Sequence, residues 1–222
     1  MRKKFLLFLS LLAATTVSAQ LSGTYTISGD ASQNPDFVSF SEAASALAAG
    51  VSGQVVFEVA PGTYEEFVTL NSINGTNATN RVVFRGMGAD NQQVVVTSNA
   101  GYTSNSTLTL DGPDYVTFEN MTLASTSENT AIMVTLRGGL TNDRFENVRF
   151  VGCVSDASNT DNNKNLVYKH TPAIGAHLII YSNPAPIPGS LVSRLEAGLL
   201  TEAIACRLPE RCCLSVTFMA ND

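Results

Sequence analysis

Short apolar runs separated by turn-forming residues recur along the middle of the chain. Phe57, Phe84, Leu110 and Leu136 follow one another at steps of about 26–27 residues. A second set, Val68/Leu70, Val94/Val96, Met121/Leu123 and Val148/Phe150, keeps the same step. A fixed period between roughly 20 and 50 residues marks a solenoid, in which one supersecondary unit is copied and stacked. Apolar and polar residues alternate within each run, as on a strand with one face in and one face out. The pattern predicts an all-β chain wound as a parallel β-helix of about four coils, with Phe57, Phe84, Leu110 and Leu136 in one interior column.

The elements follow from the same reading. Gly23 to Ile27 alternates as a strand. Phe40, Ala43, Ala44 and Leu47 fall on one face of a helix, Ser39 and Glu42 form a capping box before it, and Gly50 is its stop. A short amphipathic helix there would cover the apolar cross-section that the first coil exposes. Coil one is read as Val55–Val59 with Phe67–Leu70, coil two as Val82–Phe84 with Val94–Val96. Coil three is read as Thr107–Leu110 with Tyr115–Leu123, and coil four as Ile132–Leu136 with Arg144–Phe150. Segments rich in Asn, Gly, Asp and Pro fill the gaps.

Phe118-Glu119-Asn120 and Phe145-Glu146-Asn147 superpose about 27 residues apart, and the same register brings Gln93 beside the two Asn. Gln93, Asn120 and Asn147 are therefore expected to form a ladder of amide side chains between coils, satisfying polar groups that burial would otherwise penalise.

Beyond Val151 the pattern decays. Residues 155–165 are Asn- and Asp-rich, and Leu166-Val167-Tyr168 could begin a further coil. From His170 the composition breaks: both His, three of the 4 Cys and a Pro-rich stretch lie there. A native cap, a linker with an unrelated segment, and a read-through or frame-shifted end all fit, and the abruptness of the break favours the last. The domain reading is 1–19 signal peptide, 20–52 strand and capping helix, 53–168 coils, and 169–222 an atypical tail.

Charge and processing signals narrow the setting. Arg2, Lys3 and Lys4 precede the apolar run Phe5–Ala14, and Val17-Ser18-Ala19 is a small-residue cleavage site leaving Gln20 first. This predicts export, to the medium or the cell surface, with no transmembrane segment after cleavage. The net charge is -6, and no basic cluster occurs outside the signal, which argues against nucleic acid. Cys153, Cys206, Cys212 and Cys213 are too unevenly placed for a disulfide framework and lack zinc spacing.

Two stretches resemble a known family. The Val55–Val59 strand with the Pro61-Gly62-Thr63-Tyr64 turn, and Asp114 to Leu123, resemble the opening and the coil motif of the pectin-lyase-like right-handed parallel β-helix superfamily. Gly23 to Asn99 is similar to secreted β-helix proteins of Bacteroidetes-type bacteria. The resemblance runs from Leu21 to about Tyr168 and implies a right-handed coil. Its motifs specify the fold and no activity. Pectin methylesterases share the Pro-Gly-Thr-Tyr opening, but no equivalent of their Gln-Asp-Thr or Asp-Phe-x-Phe-Gly segments, which carry the paired Asp, occurs in this chain.

Candidate chemistry is sparse. Glu119 and Glu146 lie one period apart, with Glu66 and Gln92 assigned to the same track. Two acids at such spacing could serve glycoside hydrolysis, but alternation turns them outward, and a solvated acidic track with Arg144 or Arg149 as counter-charge is the expectation. Asp156, Asp161, Asn162 and Asn163 form an oxygen-rich loop that could hold calcium without matching an EF-hand. His170 and His177 lack a third ligand, so no metal or cofactor is expected, and catalytic residues stay unknown. The sequence predicts an exported non-catalytic scaffold for an extracellular polysaccharide. The alternative is a truncated polysaccharide lyase, hydrolase or pectin-esterase-like enzyme whose catalytic coils lie beyond this chain.

Overall fold

The computed structural model describes residues 19–99, 106–126, 132–151, 167–169 and 213–216. Residues 1–18 of the expected signal segment, Cys153, the 156–163 loop, His170, His177, Cys206 and Cys212 lie outside the described residues.

Each coil contributes strands to two parallel sheets. β1 (Leu21–Ile27) pairs with β2 (Val51–Val59), which is followed by β3 (Gly62–Glu65) and β4 (Val68–Asn71). The next coil supplies β5 (Val82–Gly86), β6 (Val94–Ser98) and β7 (Ser106–Asp111). Then come β8 (Val116–Ser125) with β9 (Ile132–Arg137), and β10 (Arg144–Val151) with β11 (Val167–Lys169). One sheet runs β1-β2-β5-β8-β10, with β3 and β6 joined to its second half; the other runs β4-β7-β9-β11. Every pairing within this stack is parallel and links one coil to the next. The chain is an all-β parallel β-helix.

β8 spans two strand positions in one run. Its residues 116–119 pair with β5 and its residues 122–125 with β6. The bend between the halves falls at Asn120, and the corresponding bend of β10 falls at Asn147; both take left-handed backbone, φ 56° and 51°. Asn tolerates that region better than most residues because its short side chain bonds locally. The coil above needs the same room. A Cβ on Gly86 would run into the Asn120 carbonyl oxygen.

The interior differs from the predicted column. Tyr25, Phe57, Phe84, Phe118 and Phe145 are register neighbours in the first sheet. Leu70, Leu110 and Leu136 form a separate column in the second sheet. Phe57 and Phe84 therefore do not share a column with Leu110 and Leu136, and Val68/Leu70 stacks on Leu108/Leu110 instead of on Val94/Val96. The reason is unequal coil length. Matching positions are 27 residues apart between the third and fourth coils but 34 apart between the second and third. A constant count from Phe84 thus lands in the other sheet. The Phe rings are stacked face over face: centroids are 4.8 Å apart for Phe57–Phe84, 5.1 Å for Phe84–Phe118 and 5.3 Å for Phe118–Phe145.

The N-terminal end is closed as the pattern predicts. α1 (Phe40–Ala46) buries Phe40, Ala43 and the following Leu47 on the first coil. Ser39 Oγ accepts from Glu42 N, while the Glu42 carboxylate accepts from Val38 N, one residue before the position expected of a capping box. The remaining free donors go to Glu66, whose two oxygens accept from Phe40 N at 2.9 Å and Ser41 N at 2.8 Å, with the Ser41 hydroxyl also donating. Glu66 is thus a clamp between β3–β4 and the cap, and not a member of an outer acidic track. Glu66→Ala should cost about 1–3 kcal/mol by leaving charge-assisted bonds unmade. Urea unfolding measures it, and a loss under about 0.5 kcal/mol would show that the cap holds without the clamp.

At the far end, β12 (Cys213–Val216) runs antiparallel along β10, pairing Val148 with Val216 and Val151 with Cys213. This strand comes from the tail that the composition break marks as foreign. Here it covers a strand edge, as a cap would.

Candidate functional site

The outward positions of the first sheet hold the charged track. Glu58, Arg85, Glu119 and Glu146 are successive register neighbours. Strands one coil apart lie about 4.8 Å from each other, so these side chains emerge in a line. Arg85 makes an ion pair with Glu119. The counter-charge of Glu119 is therefore Arg85 from the coil above. Arg149 Nη1 donates to Gln92 Oε1 at 3.1 Å.

The amide contacts centre on the two bends. Asn147 Nδ2 donates to Asn120 Oδ1 at 2.9 Å, and Asn120 Nδ2 donates to Gly86 O and Gly88 O at 2.8 and 2.9 Å. Gln93 is not in this chain of bonds: its Oε1 accepts from Ala89 N within its own loop. Asn91 reaches down instead, donating from Nδ2 to Asn147 Oδ1 at 3.1 Å, and its carbonyl accepts from Thr122 Oγ1. Loop 87–93 replaces the tight bend of the later coils, so it swings Gln93 away and lays Asn91 across two coils. We expect Asn120→Ala and Asn147→Ala each to cost about 1–3 kcal/mol, with a non-additive double mutant. Additivity within error in a thermal or urea cycle would show that the two amides are uncoupled.

A residue that sequence reasoning missed is Asp143. Counting back from the stacked Phe rings, Asp143 precedes Phe145 as Val116 precedes Phe118 and Val82 precedes Phe84. Val55, Val82 and Val116 are fully buried register neighbours, and the half-buried Asp143 stands at the next position of that column. Asp143 Oδ1 accepts from Val116 N at 2.8 Å, whereas its buried Oδ2 has no hydrogen-bond partner. Burial pushes the carboxyl up to about 8; the Val116 bond and the Arg81 charge oppose this, and Asp114 adds to it. Arg81 lies near, donating to Asn142 O at 2.6 Å and to Thr117 Oγ1 at 3.2 Å, with its guanidinium 5.6 Å from the Tyr115 ring centre. The signal was present in the Phe-Glu-Asn echo, which aligns Asp143 with a valine position.

Several other described acids hold backbone. Asp36 accepts from Thr26 N and Oγ1, Asp30 from Ser32 N and Oγ, and Asp114 from Thr141 N and Oγ1. Hydrogen bonds from Ser32 hold the Asp30 carboxyl below its ordinary value, and bonds from Thr26 do the same for Asp36. Among the described residues, no three His, Cys, Asp or Glu gather as a metal site.

Solved structures of pectin methylesterases are similar to this chain. One, crystallised in complex with hexasaccharide VII, has 15% identity and a TM-score of 0.47 over 67% of this chain. Another, from Aspergillus niger, has 12% identity and a TM-score of 0.35 over 70%. The chain spans 46% of the first of these proteins and 69% of the second. No protein-family model and no curated protein matches the sequence.

Proposed function

We propose that the protein is an exported, non-catalytic β-helix scaffold that binds extracellular polysaccharide at the cell surface, of the kind secreted by Bacteroidetes-type bacteria. The use of the acids carries this reading. Glycoside hydrolysis needs one carboxyl free to give a proton and a second free to attack or to activate water. Here Asp30, Asp36, Glu66, Asp114 and Asp143 accept hydrogen bonds from backbone N–H groups, and Glu119 is tied to Arg85. A stack of parallel coils meanwhile offers a long, flat face suited to an extended polymer. The export signal supplies the location, and no resident metal or cofactor belongs to the proposal.

A second reading rests on Glu119 and Glu146 as register partners. In it the chain is a piece of a polysaccharide lyase, hydrolase or pectin-esterase-like enzyme, with catalytic coils in sequence beyond this chain. Affinity electrophoresis in gels cast with neutral, amino-bearing and uronate polysaccharides tests the scaffold. The proposal expects retardation in at least one gel, with the polymer intact afterwards. Migration identical to a non-binding control in every gel would overturn it.

A further inference from the structure

Above the outer track, between the Gly29–Asp36 loop and the first coil, lies a cleft of about 240 Å³. Its walls include Pro35, Pro61 and Met87, and its polar groups include Ser28, Gln33 and Glu58. The volume is below the roughly 300–1,000 Å³ of pockets for drug-sized ligands, so it suits a single ring. The combination of apolar walls with a few directed polar groups is what a ring bearing hydroxyl groups needs: its C–H face packs on Pro and Met, and its edge is hydrogen-bonded. Met87 is 51% exposed although it sits beside the first coil, which leaves its side chain available.

The cleft is built before any ligand arrives. Asp30 N donates to Ser28 Oγ at 3.2 Å, and Gln33 Nε2 donates to Asp30 Oδ2 at 3.2 Å. Asp36 ties the end of the loop to Thr26 N at 2.8 Å and to Thr26 Oγ1 at 2.9 Å. The loop wall therefore needs little ordering when something binds.

Charge chooses the class of ring. Glu58 is half-buried at the wall and makes no hydrogen bond or ion pair with another described residue, because its register neighbour Arg85 is turned to Glu119. No cationic side chain lines the cleft, while Asp30 and Asp36 stand in the loop behind it. A carboxylate-bearing ring would meet this field as a like charge, and an amino group would meet it as an opposite one. We infer that this cleft binds the terminal ring of a saccharide carrying amino groups, with Glu58 against the ammonium and Met87, Pro35 and Pro61 against the ring face. This deepens the polysaccharide scaffold reading and rests on it.

Isothermal titration calorimetry with tetramers of glucosamine, glucose and galacturonate tests the inference, using the full chain and the surface variants Glu58→Gln and Met87→Ala. The glucosamine tetramer should bind at least ten-fold tighter than the glucose tetramer, and the galacturonate tetramer should give no heat. Glu58→Gln should erase the amino advantage. Met87→Ala should weaken glucosamine and glucose tetramers alike by three-fold or more, with unchanged melting temperature. Preference for galacturonate would overturn the inference. So would saccharide binding that neither variant alters, which would leave the scaffold reading standing and place the ligand elsewhere. No heat from any of the three with the unaltered chain would overturn the inference, and the scaffold reading falls separately if every polysaccharide gel also fails to retard the protein.

Discussion

Raising the pH from 5 to 9 should destabilise the protein, and Asp143→Asn should remove most of that loss. The folded-state carboxyl titrates near 8 because it is buried, against about 3.9 in an unfolded chain. Between those values the folded state holds a proton that the unfolded state has released. Stability is therefore fully present below about pH 4 and declines as pH rises towards 8. Each unit in that window is worth up to about 1.4 kcal/mol, so the total reaches several kcal/mol. That is a large fraction of the roughly 5–15 kcal/mol that keeps a domain folded. Asn keeps an oxygen for Val116 N and cannot ionise. Comparing urea unfolding of the two proteins across pH also cancels the His and Cys titrations they share. Parallel stability curves from pH 5 to 9 would mean that Asp143 is not buried as an acid.

The second large effect belongs to the aromatic column. Phe118 is 2% exposed and lies between Phe84 and Phe145, its ring 6° and 14° from parallel to theirs. Phe118→Ala removes a whole ring from the middle of the stack and should cost about 3–5 kcal/mol. Phe84→Ala combined with Phe118→Ala should show a coupling of about 0.5–1.5 kcal/mol, the worth of a ring pair beyond its buried area. A loss below about 1 kcal/mol for Phe118→Ala would mean that the ring is not between those neighbours.

These two residues also show what the sequence reveals and what it hides. The strands were legible because alternation is a local property, and Phe40, Ala43 and Leu47 declared the capping helix in the same way. The assignment of strands to columns was not legible, because it depends on coil length. Loop 87–93 and the longer path to β7 break the period, so a constant step from Phe84 reaches Leu110 instead of its true register neighbour Phe118. The Asn120–Asn147 pair was readable because those two coils have equal length. Gln93 was misplaced because its coil carries the loop instead of the bend. Asp143 carries no local signal that sets it apart, and its place beside the valine column emerges only once Phe118 and Phe145 are aligned. Glu66 read as a surface acid because nothing local shows that the helix N-terminus, about 25 residues earlier, folds onto it.

In the proposed scaffold the acids of this β-helix hold structure or meet the ligand and perform no chemistry on polysaccharide. Product release measures that most directly. Pectin, polygalacturonate and an amino-bearing polysaccharide would be incubated with the unaltered chain and with a Glu119→Gln, Glu146→Gln double variant. The account predicts no new reducing ends, unsaturated ends or released methanol from either protein, and a lower melting temperature in the variant as the Arg85 ion pair is lost. Product formed by the unaltered chain and abolished in the double variant would contradict it.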